Sequence, residues 1–200
     1  MTNLYLLSIL AIIATYILSI RIFPVIIYLS HKKNLMDVPV ERSAHIGSTP
    51  TMGGVGIFLT FSLAIILFGL LVGLPYEDLT RLLAILGATV ILLGLGVKDD
   101  LLVLSPKKKF SGQIISAIIV VLFADIRIES LYVIFGVETI PYYISVALTI
   151  LVFIFIINAF NLIDGIDGLA GTIAALSCLA FGTYFLLNSN HFMTLVSFAL

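Results

Sequence analysis

Residues 142–168 read YYISVALTILVFIFIINAFNLIDGIDG. The stretch Tyr142–Ile157 carries no charge, whereas two asparagines and two aspartates follow within the next ten positions. A spanning helix needs about 20 mostly apolar residues, because the hydrocarbon core of a bilayer is about 30 Å thick. The sequence therefore predicts a membrane helix that extends somewhat beyond Ile157 and leads directly into a polar turn.

The rest of the chain has a similar composition. Of its 200 residues, 61% are hydrophobic and only 10% are charged, and the mean hydropathy is +1.24. A soluble domain carries about 25% charged residues, so this chain cannot cover a core in water and needs lipid as its solvent. The net charge of -1 argues against nucleic acid as a partner. The single Cys178 excludes a disulfide framework within the chain.

Six apolar stretches qualify as spans or come close, and a seventh begins at Phe192. We therefore predict an all-α polytopic membrane protein with about six complete transmembrane helices and the start of a seventh. Residues 1–200 are expected to form one transmembrane domain. The apolar end at Leu200 suggests the N-terminal part of a longer protein. The six stretches are Leu4–Leu29, Thr51–Leu74, Leu82–Val97, Phe110–Ala124, Tyr142–Ile157 and Leu169–Leu187.

The distribution of lysine and arginine predicts the orientation. One set of alternate loops holds seven of these residues, and the opposite set holds only Arg81 and Arg127. Because cytoplasmic loops are enriched in lysine and arginine, loops 31–50, 98–109 and 158–168 are expected inside and the N-terminus outside. On the outer side, partial alternation of apolar residues between Asp125 and Pro141 suggests a short surface hairpin.

Six of the eleven acidic residues fall on the predicted inner side. The adjacent Asp99 and Asp100 would repel each other unless a cation intervened, and such oxygen ligands suit Mg²⁺ together with substrate phosphates. The alternative is an acidic corner at a helix end without a ligand. The six acids are Asp37, Glu41, Asp99, Asp100, Asp164 and Asp167.

The polar turn after the fifth stretch is a more specific signal. Asn161, Asp164 and Asp167 lie three positions apart, so they would be neighbours on a helical surface. Ionisable groups at a membrane edge are costly and are therefore candidates for function. The alternative is an interfacial turn in which Asp164 or Asp167 caps a helix.

Three further features have competing interpretations. Lys107 and Lys108 are expected to contact anionic lipid, whereas one lysine of the 107–109 run would approach a substrate phosphate. A lone histidine such as His45 is more often a loop residue than a metal ligand. The glycines at positions 53, 54 and 56 fit either close helix packing or a backbone that approaches a phosphate.

Several motifs in series resemble the polyprenyl-phosphate N-acetylhexosamine-1-phosphate transferases, and their order and spacing match across essentially the whole chain. The resemblance is strongest to the bacterial undecaprenyl-phosphate N-acetylglucosamine-1-phosphate transferases, with the phospho-MurNAc-pentapeptide transferases as a sister branch. The motifs are Arg42-Ser-Ala-His45, Thr49-Pro-Thr-Met-Gly-Gly54, Gly96-Val-Lys-Asp-Asp100-Leu, Ser105-Pro, Lys109-Phe-Ser-Gly-Gln113 and Asn158-Ala-Phe-Asn-Leu-Ile-Asp-Gly-Ile-Asp-Gly-Leu169.

The resemblance implies a ten-helix inner-membrane enzyme with its active site on the cytoplasmic face. Such an enzyme transfers a sugar-1-phosphate from a UDP-N-acetylhexosamine to undecaprenyl phosphate and releases UMP, as the first step of a lipid-linked cell-envelope glycan. It implies Mg²⁺, with Mn²⁺ as a substitute, and it leaves a homodimer open. The family's further metal-binding aspartate and histidine motif would lie beyond Leu200, so we expect the 200 residues alone to be inactive.

The resemblance also implies roles for individual residues. The family's paired aspartates correspond to Asp99 and Asp100, one of which would deprotonate or orient the lipid phosphate. Lys109 would contact phosphate, and Arg42 and His45 would bind substrate. The resemblance also places Asn161 near Mg²⁺ and the diphosphate, where it would bind the metal together with Asp100. Asp164 and Asp167 would lie near the nucleotide and take part in catalysis.

Two other classes of protein remain open at this point. A transporter or channel would place its carboxylates along an ion path near the middle of the membrane. A non-catalytic membrane fragment or scaffold would need no site at all.

Overall fold

The computed structural model describes residues 2–37, 49–102, 104–131, 136 and 138–200. Within these residues each of the seven predicted apolar stretches is an α-helix, which confirms the all-α membrane class. Two-residue strands β1 (Met36–Asp37) and β2 (Thr49–Pro50) pair antiparallel. The helices are α1 (Thr2–Lys32), α2 (Gly53–Val72), α3 (Tyr76–Leu102), α4 (Pro106–Phe123), α5 (Tyr142–Ile163), α6 (Leu169–Leu187) and α7 (His191–Ala199).

Five of the described helices (α1, α2, α3, α5 and α6) are long and apolar enough to cross a membrane. The difference from the six expected complete spans concerns α4. Its 18 residues include three lysines at positions 107–109. The part from Phe110 to Phe123 is about 21 Å long at 1.5 Å per residue. The polar start of α4 therefore leaves an apolar length below the usual thickness of the hydrocarbon core.

The chain divides into two compact units, of which the first comprises the residues up to Pro75 together with Ile163–Leu200. In this unit α1 packs against α2 and α6 packs against α7, and α7 also contacts α1 and α2. Its core contains Phe61, Ile65 and Phe68 of α2 with Phe192 and Leu195 of α7, all of them buried.

Close helix packing explains one of the three glycines that begin α2. A Cβ at Gly56 would lie 3.1 Å from the Phe23 ring of α1, so the small residue lets the two helices approach. A Cβ at Gly53 or Gly54 would meet no atom of the described residues within 4 Å. The packing interpretation therefore holds for Gly56, and the phosphate interpretation of the other two stays a prediction.

Gly182 of α6 allows the closest approach within the first unit and provides a test of its packing. A Cβ at this position would lie 2.5 Å from Cε1 of the Phe198 ring in α7. We expect Gly182→Ala to destabilise the protein by about 1–3 kcal/mol, because the half-buried Phe198 ring must shift. Thermal unfolding of the detergent-solubilised protein measures the effect.

Gly171→Ala is the matched control, because a Cβ at that position of α6 would meet no atom within 4 Å in the part of the chain that the structure describes. The control should be neutral or slightly stabilising, since alanine favours helix over glycine. Equal melting temperatures for the two variants would contradict the packing of α6 on α7.

The second unit comprises Tyr76–Leu162. Its α3 and α4 are joined by a short turn and pack tightly along their length. A Cβ at Gly112 of α4 would overlap the side chain of Leu95 in α3, so glycine lets the two helices cross closely with Leu95 in this position. The tight packing holds the end of α3 next to the start of α4.

Side chains of α5 hold the segment that follows α4, and the centre of the hairpin predicted between Asp125 and Pro141 lies outside the described residues. Ser145 Oγ donates to the Ile128 carbonyl at 2.6 Å, and the Ile128 N–H donates to Thr149 Oγ1 at 2.9 Å. The Ile140 N–H donates to the Glu129 carbonyl at 3.0 Å. Side chains of α5 thus satisfy both backbone groups of Ile128, whereas a backbone hydrogen bond joins Ile140 to Glu129. No strand occurs in the described residues 125–131, 136 and 138–141.

Arg127 fixes the same segment to the first turn of α5. Its guanidinium forms ion pairs with Asp125 (2.9 Å) and Glu129 (3.0 Å), and it lies 5.1 Å from the centre of the Tyr142 ring. The hydrogen bond to Asp125 raises the pKa of Arg127, and the Glu129 charge adds to the effect. This arginine therefore acts as a permanently charged anchor at the predicted outer end of the unit.

Candidate active site

Two charged residues face each other across the α3–α4 turn. Asp99 lies in the last turn of α3, and Lys109 lies in the first turn of α4. Each placement is unfavourable alone, because a helix C-terminus carries partial negative charge and an N-terminus partial positive charge. The carboxylate and the ammonium form an ion pair that compensates both.

Both carboxylate oxygens of Asp99 are engaged. Oδ1 accepts the Leu104 N–H at 2.8 Å, and Oδ2 pairs with Lys109 Nζ. The two side chains are 27% and 40% exposed, so solvent reaches the pair. Asp99 thereby closes the turn and directs the lysine ammonium to one place.

The ion pair forms part of the wall of a cavity of about 190 Å³ at this end of the second unit. Leucines 92 and 95 with Ile157 give the cavity an apolar side, and charged and amide groups give it a polar side. Such a cavity suits an amphiphile with an anionic head. Its lining residues are Leu92, Leu95, Gly96, Asp99, Lys109, Gln113, Ile157, Asn158 and Asn161.

The opposite wall comes from the last turns of α5. Asn158 and Asn161 lie three positions apart on this helix, so one face carries both amides. Asn158 Nδ2 donates to Gln113 Oε1 of α4 at 2.9 Å and to the Ile154 carbonyl at 2.8 Å. A chain of side-chain contacts thus joins α4 and α5 at the cavity.

A second cavity of about 410 Å³ lies on the other side of this wall. Three of its lining residues, Lys109, Gln113 and Asn158, also line the first cavity. The remaining lining residues are Pro106, Lys107 and Phe110.

The structure brings together three of the predicted site residues, namely Asp99, Lys109 and Asn161. Asp100 is not one of the described residues that line the cavity. Its side chain is exposed and takes part in another interaction. Consecutive helical residues point about 100° apart, which explains why the two aspartates differ. Arg42 and His45 lie outside the described residues.

Asn161, Asp164 and Asp167 do not share the one helical surface that the sequence led us to expect. Because α5 ends at Ile163, Asp164 and Asp167 belong to the turn and not to the helix that carries Asn161. Both side chains are exposed, and Asp167 takes part in an interaction. The N-cap residue of α6 is Gly168, with φ of +75°, so neither aspartate occupies the N-cap position of that helix.

Gln113 and Asn158 line the cavity but were missed as individual site residues. Helical spacing could have indicated both of them. Gln113 lies four positions after Lys109, and Asn158 lies three before Asn161, so each shares a helix face with a predicted residue.

The donors at the cavity are of the kind that Mg²⁺ binds, although they do not form a dense cluster. Asp99 provides a carboxylate, and Asn158 and Asn161 provide amide oxygens. No group of three or more aspartate, glutamate, histidine or cysteine residues that could hold a metal occurs in the described ranges. A protein that binds Mg²⁺ through one or two carboxylates and leaves other positions to substrate phosphates needs no more.

The apolar helices, the cavity near the helix ends and the charged residues around it define a multi-pass membrane protein with a polar site. Residues 82–200 match the family described as glycosyl transferase family 4, and the chain belongs to this family.

The relatives of the chain agree with this assignment. The chain is 33% identical to the decaprenyl-phosphate N-acetylglucosaminephosphotransferase of Mycobacterium tuberculosis over 157 residues, which are 76% of the chain and 39% of the relative. It is 32% identical over 174 residues (86% of the chain, 46% of the relative) to the probable undecaprenyl-phosphate N-acetylglucosaminyl 1-phosphate transferase of Bacillus subtilis. It is also 29% identical over 153 residues (75% and 38%) to the undecaprenyl-phosphate alpha-N-acetylglucosaminyl 1-phosphate transferase of Escherichia coli O157:H7. The chain thus spans less than half the length of these curated relatives.

Proposed function

We propose that this protein transfers N-acetylglucosamine-1-phosphate, or a related N-acetylhexosamine-1-phosphate, from a UDP-sugar to undecaprenyl phosphate or another polyprenyl phosphate. The observation that carries the proposal is the pairing of Asp99 with Lys109 at a cavity that is apolar on one side. The names of the relatives supply the lipid phosphate and the amino sugar. The product would begin a lipid-linked cell-envelope glycan.

The cavity suits the acceptor because the acceptor has two chemically different parts. Its isoprenoid chain would lie against the leucine and isoleucine side chains, while its phosphate would approach the lysine ammonium. The lipid holds the acceptor at the membrane edge, so the reaction needs no encounter with a second dissolved substrate at this site. Local placement of a nucleophile removes much of the entropic cost of a bimolecular step.

The reaction forms one bond and breaks one. An oxygen of the acceptor phosphate attacks the β-phosphorus of the donor, and the bond from that phosphorus to the oxygen bridging to the α-phosphorus breaks. UMP leaves with the bridging oxygen, and the sugar phosphate remains on the lipid. Lys109 would stabilise the negative charge that gathers on the transferred group, and Asp99 would keep the ammonium in position.

The remaining members of the site are proposed from their sequence positions. Mg²⁺ (or Mn²⁺) would supply charge neutralisation for the phosphates of both substrates. Asp100 and Asn161 are proposed to hold it. Asp164 and Asp167, together with Arg42 and His45, are proposed to act on the nucleotide side.

The location of the site supports a reaction at the membrane edge. Asp99 lies three residues before the end of α3, Lys109 is the fourth residue of α4, and Asn161 lies two residues before the end of α5. An ion path would place such groups near the middle of the membrane, so this placement disfavours a transporter. With the lysine distribution it supports an inner-membrane enzyme whose active site faces the cytoplasm and whose N-terminus is outside.

The test measures transfer in membranes from cells that express the natural gene. UDP-N-acetylglucosamine and undecaprenyl phosphate are supplied, and UMP and the lipid-linked sugar are quantified together. Equal amounts of the two products are expected with Mg²⁺, and chelation by EDTA should lower the rate at least tenfold. Asp100→Asn is expected to raise the Mg²⁺ concentration that gives half the maximal rate.

Two comparisons make this test specific. UDP-MurNAc-pentapeptide in place of UDP-N-acetylglucosamine tests the sister reaction, and preference for that donor would replace the proposed substrate. UMP release without a lipid product would contradict transfer, and no turnover of either donor would support a non-catalytic membrane protein.

A further inference from the structure

Gln113 and Asn158 form a reciprocal amide pair between α4 and α5. Besides the 2.9 Å bond from Asn158 Nδ2 to Gln113 Oε1, Gln113 Nε2 donates to Asn158 Oδ1 at 3.5 Å. The two residues are 45 positions apart in the sequence, so the pair is a tertiary contact. It lies beside Lys109 in the wall that the two cavities share.

The surroundings fix the orientation of both amides. The Ile154 carbonyl can only accept a hydrogen bond, so the Asn158 atom that faces it must be nitrogen. The second N–H of that nitrogen then faces Gln113, whose atom at this point must be oxygen. The pair therefore has a defined direction, and each partner holds the other in place.

The pair lies one helical turn from a predicted site residue. Asn161 lies one helical turn after Asn158 on the same face of α5, and both line the cavity that contains Asp99 and Lys109. Attachment of Asn158 to α4 thus sets the distance between the last turn of α5 and the ion pair on the facing helices.

We propose that Gln113 is a positioning residue for sugar-phosphate transfer, which acts through Asn158 to hold Asn161 opposite the Asp99–Lys109 pair. The inference rests on the proposed function, because Asn161 and Lys109 matter in this way only if they meet the same substrates. Gln113 itself needs no contact with the reacting atoms.

The first experiment measures kcat and the KM for UDP-N-acetylglucosamine of Gln113→Leu in membranes from cells expressing the natural gene. Leucine keeps similar bulk but removes both amide contacts. We expect kcat to fall about five- to tenfold, the range expected for one lost amide hydrogen bond, with KM changed less than twofold. Ser111→Ala is the control in the same helix, because this exposed hydroxyl bonds only the Lys108 carbonyl within α4 in the described structure, and it should leave both constants unchanged.

Two double variants separate positioning from general packing. The combination of Gln113→Leu with Asn158→Leu should lose no more activity than the less active of the two single variants, because either change alone breaks the pair. The exchange of Gln113→Asn with Asn158→Gln keeps two amides and their combined length. It should restore kcat to within about twofold of the wild type.

The outcomes distinguish this inference from the proposed transfer. Three results would each overturn the positioning role. The losses in kcat could multiply in the double leucine variant, the single variant could change KM in place of kcat, or the exchange variant could fail to restore kcat. If the wild-type protein made no lipid-linked sugar, the transfer would fail, and the positioning role would fail with it. Thermal unfolding of the solubilised variants would then still show whether the two amides are coupled. Coupled amides would give non-additive changes in melting temperature in the double leucine variant and a restored melting temperature in the exchange variant.

Discussion

Lys109→Met is expected to lower the rate of sugar-phosphate transfer by about 10²–10³-fold. The ammonium is held by Asp99 at a cavity that also contains the leucine side chains of α3. Charge that gathers on the transferred phosphate is stabilised most by a donor that is already in position, and removal of one such donor costs about this much. Methionine has a similar length and no charge, so packing changes little.

The measurement is kcat and KM with saturating acceptor in membranes, with the amount of folded protein determined in parallel. Lys108→Met is the matched control, because it removes the same charge from an exposed neighbour that does not line either described cavity. The control should stay within about threefold of the wild type. An equal loss in both variants would show that the basic run acts through lipid contact alone.

Asp99→Asn is the second substitution with a large expected effect, a loss of about 10²-fold in kcat. The asparagine carbonyl can still accept the Leu104 N–H, so the turn is kept. The ion pair with Lys109 is lost, and the ammonium is no longer directed to one place. The pair is partly exposed and contributes only about 0–1 kcal/mol to stability, so the loss should appear in catalysis and not in folding.

The double variant Asp99→Asn with Lys109→Met tests whether the two residues act as a unit. Its activity should equal that of the poorer single variant, since groups that act together are not additive. Asp125→Asn is the charge-matched control at the opposite end of the same unit, where Arg127 keeps Glu129 as a second partner. Independent losses in the double variant would contradict the orientation of Lys109 by Asp99.

The helices could be predicted from the sequence because their apolar stretches are long and sharply bounded. All seven stretches are helical, and the start of α4 at Pro106 follows the expected break after the third stretch. The centre of the hairpin expected between Asp125 and Pro141 lies outside the described residues, so that expectation stays a prediction. The partners of Ile128 are Ser145 and Thr149, which lie in the next helix and could not be identified from the local sequence.

The site was predictable in its residue types and less so in its arrangement. Asp99 and Lys109 stand near each other in sequence, so a short turn was enough to pair them. Which of two adjacent aspartates faces the cavity depends on the rotation of α3, and that rotation is set by packing against α4. The amide of Gln113 finds Asn158 only through the tertiary fold, although helical spacing placed each on the correct face.

The short apolar length of α4 has a consequence for the surrounding lipid. A helix whose hydrophobic stretch is shorter than the bilayer is accommodated by local thinning, by extended lysine side chains or by shielding from neighbours, at fractions of a kcal/mol per Å. The lysines at its first turn lie beside the cavity, so any thinning brings the headgroup layer towards Lys109. The depth at which an acceptor phosphate meets this protein is therefore a joint property of the helix and of the membrane's acyl-chain length.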